Sequence, residues 1–219
     1  MRRVTSGARL VLLGRQGAGK GTQCVRLSRH YVVPHISTGD MLRSAVKEGT
    51  EFGLKAKAVM DQGDLVSDDI MGGVVGERLE GEDTRNGYIL DGFPRTVPQA
   101  ELLHDITAAA PLDLVIDLVV PVEIVLERLA SRRVCTDCGA NYSVDSPPKY
   151  GWVCDNCGGE VIQRADDTPD AIQKRLDLYE RETAPLISWY SDRKLLVEVD
   201  GLGPAEEVTK RLVAAIDHR

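Results

Sequence analysis

Nine consecutive residues, Gly14-Arg15-Gln16-Gly17-Ala18-Gly19-Lys20-Gly21-Thr22, have the types and order needed to hold a phosphate chain. Glycines let successive backbone N–H groups turn inward with no Cβ in the way, which makes a concave nest for an anion. A helix starting here adds partial positive charge at the same point. Lys20 supplies a full charge that reaches β- and γ-phosphates. The stretch departs from the general G-x-x-x-x-G-K-[ST] pattern in one place: Gly21 follows the lysine and the hydroxyl comes at Thr22. That weakens a direct transfer of the Mg²⁺-ligand role. A ligand-free glycine turn is the bland alternative. The strand-like run 8–13 before the loop and the helical stretch 23–30 after it speak against that alternative.

Three further groups carry chemistry. Asp91, in Leu90-Asp91-Gly92-Phe93-Pro94-Arg95, falls where a buried strand should end. A carboxylate there, beside a phosphate loop, is placed to organise Mg²⁺, often through water; an ordinary Asp-Gly turn is the competing reading. Ser37-Thr38-Gly39-Asp40, with Arg43, opens a helix. Taken alone it reads more readily as a helix cap with a solvated arginine than as a second phosphate site. The arginines form the next group. Arg128, Arg132 and Arg133 are expected to end one helix, with Arg128 and Arg132 sharing a face at i, i+4; Arg164 precedes the next helix and Arg175 lies on it. A solvated face is the common explanation for such a set. Yet guanidinium forks match phosphate oxygens, and a chain of net charge −7 that binds a polyanion needs a local cationic clamp.

Cys135, Cys138, Cys154 and Cys157 follow the spacing C-x₂-C-x₁₅-C-x₂-C of structural zinc sites. Four thiolates fill a tetrahedron and leave no open position for catalysis. The metal should therefore fold a module too small to build its own core. Two disulfides are the alternative, although nothing in the chain suggests an oxidising compartment. Cys24, on the helix after the loop, reads as a small core residue.

These residues need a scaffold. Apolar runs at 8–13, 34–37, 87–90, 114–120 and 195–199 read as strands. Phe52, Ala56, Val59 and Met60 recur at helical spacing, as do Met71, Val75 and Leu79. Ile172, Leu176 and Tyr179 do so behind a Thr168-Pro169-Asp170 start, and Val208, Leu212 and Ile216 mark a last helix with Pro204 near its start. Strands alternating with helices imply an α/β fold with a parallel sheet covered on both faces. The stretch of roughly 131–167 breaks this rhythm and reads as a small inserted module.

At 219 residues, 42% of them hydrophobic and 28% charged, the chain can bury a sizeable core in one domain with insertions. No apolar run approaches the length of a membrane span. The start lacks the apolar stretch of a signal peptide, so residues 1–7 read as a short lead and the protein as cytoplasmic. The net negative charge argues against non-specific nucleic-acid binding. Nothing suggests more than a monomer.

From about Arg9 onward the sequence resembles the adenylate kinase family, in its long-lid form with a zinc-bearing lid. The resemblance rests on 14–23, on 37–43, on 91–96 with Gln99, on Arg132-Arg133, on the four cysteines, on Arg164 and Arg175, and on Asp200-Gly201. In that family Gly21-Thr22 is the usual order after the lysine, while Gln16 replaces a usual proline. The resemblance implies a five-stranded phosphate-loop fold and a phosphotransferase that uses Mg²⁺ with ATP and AMP, gives ADP, and carries structural Zn²⁺ in the lid. It implies a core of 1–36, 68–130 and 168–219, an AMP-binding insertion at 37–67 and a lid at 131–167. Gly17, Ala18, Gly19, Lys20, Gly21 and Thr22 would cradle the ATP phosphates, Arg132 would reach ATP from the lid with Asn141 and Tyr142 nearby, and Gly203 would lie by the ATP adenine. Thr38, Arg43, Asp64, Leu65, Val66, Gly92, Phe93, Pro94, Arg95 and Gln99 would hold AMP, Gln99 reading its base, while Arg164 and Arg175 would bridge toward AMP and the transferred group. Lys20, Asp91, Arg95, Arg128, Arg132, Arg164 and Arg175 form the expected catalytic set. Rival readings are a kinase for UMP, CMP or GMP, a zinc-ribbon binding module, and a switch-type ATPase, for which nothing positions a hydrolytic water.

Overall fold

The computed structural model describes residues 7–61, 64–164 and 166–218. Most of the expected N-terminal lead, and the side chains of Phe52 and Met60, lie outside the described residues.

The main sheet has five parallel strands: β1 (Arg9–Leu13), β2 (His35–Ser37), β3 (Tyr88–Asp91), β4 (Leu114–Val119) and a C-terminal strand, Leu196–Asp200. They lie in the order β2-β3-β1-β4 and then the C-terminal strand, so β1 sits in the middle. β1 pairs with β3 through Leu12↔Asp91 and with β4 through Leu12↔Ile116. Parallel strands buried on both faces read as continuous apolar runs, which is how the sequence was legible.

The period of two along β1 divides the core. Leu10 and Leu12 join a cluster with Cys24, Leu27, Ile116, Leu118, Leu129 and Leu212. Val11 and Leu13 face the other way, among Leu90, Leu103, Val115, Leu186 and Tyr190. The first face is covered by α1 (Lys20–Tyr31), by Val122–Ser131 and by the last helix, Ala205–Asp217; the second by Asp68–Leu79, Val97–Ile106 and Pro185–Asp192.

In chain order, the helices after α1 are α2 (Thr38–Lys47), α3 (Glu51–Asp61), α4 (Asp68–Leu79), α5 (Val97–Ile106), α6 (Val122–Ser131), α7 (Pro169–Leu178), α8 (Pro185–Asp192) and α9 (Ala205–Asp217). The start of α7 follows the reading of its sequence: Thr168 Oγ1 accepts from the Ala171 N–H, with Pro169 as the first helical residue. Its end does not. The helix stops at Leu178, and a π-type turn over Tyr179–Thr183 leads into α8.

Between α6 and α7 the chain forms a second sheet of three antiparallel strands: β5 (Arg132–Cys135), β6 (Asn141–Ser143) and β7 (Val161–Ile162). The C-terminal strand of the main sheet is thus β8 (Leu196–Asp200). Among the described residues, the small sheet has a core of Cys135, Cys154 and Val161, with Ala140 and Tyr142 packed against it.

Candidate active site

The loop 14–19 joins the C-terminal end of β1 to α1, at the middle of the sheet where ligands of open α/β folds bind. Its glycines are required by contact as well as by conformation. Gly17 has φ +83°, and a Cβ there would lie 2.8 Å from Leu129 Cγ on α6. Gly19 caps α1 in the left-handed region at φ 101°. Lys20 folds back over the loop, donating to Gly14 O at 2.7 Å and Arg15 O at 3.0 Å. Burial lowers its pKa; Asp91 opposes that shift, while Arg95 and Arg175 add to it. Ala18 is buried and Thr22 exposed.

Asp91 lies at the end of β3 with Gly21 beside it, a Cβ there standing 3.6 Å from Asp91 Oδ2. Burial opposes its ionisation, but His35, Lys20 and Arg95 outweigh burial and hold the carboxyl below its ordinary value. Gly92 then turns at φ +82°, where a Cβ would meet Thr38 Oγ1 at 2.8 Å and Arg95 Nη2 at 3.0 Å. Thr38 is buried and donates to Gly92 O at 2.9 Å. The helix cap anticipated at 37–40 is real, with Ser37 accepting from the Asp40 N–H. It coexists with the placement of Thr38 against the β3 turn.

Arg95 donates to Gly92 O at 2.7 Å, and its own carbonyl accepts from Thr183 at 2.8 Å. Burial lowers its pKa, Asp91 counters, and Arg43 and Arg164 push it further down. Arg43 pairs with Asp40. The side chain of Gln99 is buried: Oε1 accepts from the Arg95 N–H at 2.8 Å, and Nε2 donates to Asp68 Oδ1 at 2.7 Å. Asp64 pairs with Lys174 at 3.0 Å. Leu65 is half-buried, and Val66, Phe93 and Pro94 are buried.

The arginines expected on one helix are divided. Arg128 is on α6, but α6 ends at Ser131, so Arg132 and Arg133 belong to β5. Pairing of Arg132 with Ser143 and Arg133 with Tyr142 draws the chain into an extended conformation there, and the i, i+4 relation is lost. Arg128 reaches back to Ala18 O at 3.0 Å and Gly201 O at 3.3 Å, tying the phosphate loop to the end of β8. Gly203 follows that turn with φ +101°.

Two carboxylates join the site that the sequence pattern does not single out. Arg132 forks onto Asp167, whose side chain is fully buried. Arg164 forks onto Asp166 at 2.9 and 2.8 Å, and Arg175 reaches the same Asp166 at 2.5 Å. Burial lowers the Arg175 pKa to about 10; Asp166 resists this, and Arg164, Arg95 and Arg132 contribute to it. The signal was present as Asp166-Asp167 just after Arg164 and just before the α7 cap. Clustered, half-buried guanidinium groups need carboxylates near them.

The lid cysteines are four separate thiols. Their sulfurs all lie within 4.8 Å of one another. The closest pairs, Cys135–Cys157 and Cys138–Cys154, stand at 3.5 Å. A tetrahedral ZnS₄ site with bonds of about 2.3 Å has edges of about 3.8 Å, so the donor set fits zinc. Tyr142 sits with its hydroxyl 3.4 Å from Cys154 Sγ, receives the Asp155 N–H at 2.8 Å, and helps hold the Cys154 thiol down to about 6. Its polar end is thus at the cysteines, while Asn141 is exposed.

A glycine loop between the central parallel strand and a helix, with a lysine over the loop and an ionised aspartate on the next strand, defines a phosphate-loop nucleotide-binding protein of the α/β class. The adenylate kinase family model matches residues 12–195. Relatives named adenylate kinase include those of Methanosarcina acetivorans, 49% identical over 94% of this chain and 97% of its own, and Geobacter sp. strain M21, 50% identical over 94% and 98%. That of Thermodesulfovibrio yellowstonii is 48% identical over 96% of this chain and 100% of its own. This chain belongs to the adenylate kinase family.

Proposed function

We propose that this protein transfers the terminal phosphoryl group of Mg-ATP reversibly to AMP, giving two ADP. One observation carries the reading: Lys20, Arg95 and Arg175, from α1, the β3–α5 turn and α7, converge on one site, where Arg95 and Arg175 lower the Lys20 pKa and Arg95 lowers that of Arg175, with Asp91 facing Lys20 and Arg95 and Asp166 facing Arg175. Such a concentration of mutually repelling cations in an acidic protein is stabilised when a polyanion enters it.

In this reading Gly17–Thr22 bind the ATP phosphates through backbone N–H groups and Lys20. Arg128 fixes the loop's shape from behind and adds positive charge. Thr38, Arg43, the backbone of 64–66, the 92–95 turn and Gln99 take AMP. Arg132, Arg164 and Arg175 close over the moving group, exchanging Asp166 and Asp167 for phosphate oxygens. Asn141 and Tyr142 would approach ATP from the lid, and Gly203 the adenine. Mg²⁺ suits the ionised Asp91 and, when bound with ATP, neutralises phosphate charge. The AMP phosphate is already an anionic nucleophile at neutral pH, so no general base is required; alignment and charge neutralisation supply the catalysis. The segments 37–67 and 131–167 act as the mobile AMP-binding unit and lid on a core of 1–36, 68–130 and 168–219. Closure keeps water from the phosphoryl group, and reopening limits turnover.

Zn²⁺ in the lid would be held by Cys135, Cys138, Cys154 and Cys157 and would serve structure alone. Unpaired thiols suit a reducing cytoplasm, where we place the protein as a monomer. No helix among the described residues is long and apolar enough to cross a membrane, and the net charge of −7 disfavours nucleic acid.

The test is ADP formation from ATP with each of AMP, UMP, CMP and GMP, with and without Mg²⁺. Activity with AMP and Mg²⁺ is expected. Preference for another monophosphate would reassign Gln99, and hydrolysis without any acceptor would overturn the transfer reading.

A further inference from the structure

A second group of metal-binding atoms lies in the core, away from the lid. Cys24 on α1, His35 on β2 and Asp91 on β3 each present one donor atom, and all three atoms lie within 4.8 Å of one another. His35 Nε2 stands 3.6 Å from Asp91 Oδ2. That is too long for a hydrogen bond. It is close to the spacing of about 3.4 Å between two ligands bonded at about 2.1 Å to one tetrahedral ion. The same Nε2 is shut off from solvent and has no hydrogen-bond partner. Buried polar atoms without partners are uncommon in native proteins, and an ion is one of the few things that resolves them. Cys24 is fully buried and is not in a disulfide.

A cavity lies against one of the three residues. His35 lines a cavity of about 310 Å³ together with Ser37, Asp40, Met41, Ser44 and the cationic Arg78.

We propose that Cys24, His35 and Asp91 form a three-donor site for a divalent transition cation of the zinc class, with water completing the tetrahedron. One thiolate, one imidazole and one carboxylate make a borderline-soft set that suits Zn²⁺ or Co²⁺ better than Mg²⁺. Binding replaces the Cys24 thiol proton with a metal–sulfur bond; the proton passes to buffer, and nothing is oxidised or reduced. Lys20 and Arg95 face Asp91 and repel the ion. The site is therefore weaker than the four-thiol site and fills after it. A consequence follows, and it rests on the proposed role of Asp91 in organising Mg²⁺: filling the site occupies that carboxylate and stops phosphoryl transfer. Transition-metal excess then acts as a brake by holding the carboxylate that would otherwise organise Mg²⁺.

The full chain is titrated with Zn²⁺ by equilibrium dialysis, and bound metal is counted; Co²⁺ is used in parallel so that thiolate absorption reports each site. Two equivalents are expected in the wild type. Cys24→Ala and His35→Asn should each weaken the second by at least about tenfold and leave the first intact. ADP formation in the wild type should fall as the second equivalent binds and recover when a chelator removes only that one. Cys24→Ala should keep its basal turnover and resist the excess metal. A single equivalent at saturation, or a second that survives in both variants, overturns the site. A second equivalent that is lost in both variants yet leaves wild-type turnover unchanged confirms the site and refutes the role given to Asp91.

Discussion

In the main sheet, β1 sends Leu10 and Leu12 to one face and Val11 and Leu13 to the other, and long helices close over each face. In the lid, the described residues place Cys135, Cys154 and Val161 at the centre of β5–β7, while Val144, Tyr150, Trp152 and Val153 stand exposed. The first region is stabilised by apolar burial, at about 1.5–3 kcal/mol for each fully buried Leu, Ile or Val. The second has too little apolar area for that, and its four sulfurs must be held by something other than packing. The main sheet fixes the phosphate loop, and the small sheet presents Arg132 on β5. The junction between them is made of charge, with Arg132 on Asp167 and Arg164 and Arg175 on Asp166.

This contrast exposes the protein to separate tests of each half. Lys20→Ala strikes the main-sheet half where it does chemistry. It should lower kcat by about 10²–10³-fold, as loss of a charge-stabilising donor does, while melting stays near that of the wild type. Near-normal turnover would remove Lys20 from the catalytic set.

Removing the metal strikes the other half. Chelation should lower Tm by at least about 4 °C and should disturb the lid first. The two tryptophans report the regions separately, Trp152 in the lid and Trp189 on α8. A Trp189→Phe variant should show the lid signal changing on chelation before the main transition. Unchanged melting, once metal analysis shows the site empty, would contradict a structural metal.

Asp166→Asn strikes the junction. It leaves Arg164 and Arg175 facing each other without their shared carboxylate, and should cost about 2 kcal/mol, less than a fully buried pair because the group keeps some solvent contact. Denaturant unfolding measures it; a loss below about 0.5 kcal/mol would make the fork ornamental.

The smallest effect is that of acid. Burial opposes ionisation of Asp166, but Arg164 and Arg175 outweigh it and hold its folded pKa below the ordinary value. The resulting stabilisation is fully present above the unfolded pKa of about 3.9 and is lost as pH falls through the lower folded value. Trp152 fluorescence should report loosening only below about pH 4, and loosening at higher pH would assign the junction to another group.

Much of the site was legible because its signals are local. The phosphate loop is a run of adjacent residues whose glycines and lysine act through the backbone next to them. The C-x₂-C pairs are likewise local, since one turn sets each pair of ligands. The arginines are less legible, because helix periodicity has no stop signal at Ser131 and it is pairing with β6 and β7 that ends α6 there. Asp166 and Asp167 are not legible as partners, because a carboxylate pair before a helix cap has the pattern of a solvated one and only the fold brings Arg132, Arg164 and Arg175 onto it. The Tyr179–Thr183 π turn and α8 also escaped, since Pro185 and the packing of Leu186 and Tyr190 on the sheet decide them.

Local order and spacing were enough to determine an α/β chain with an anion-binding loop and a four-thiol module, because each depends on neighbours within a turn or a strand. Strand order, the partner of every arginine, and the meeting of Cys24, His35 and Asp91 came only with the folded chain. Those contacts join residues far apart in sequence, and the energy that selects them is released when both faces of the sheet are covered.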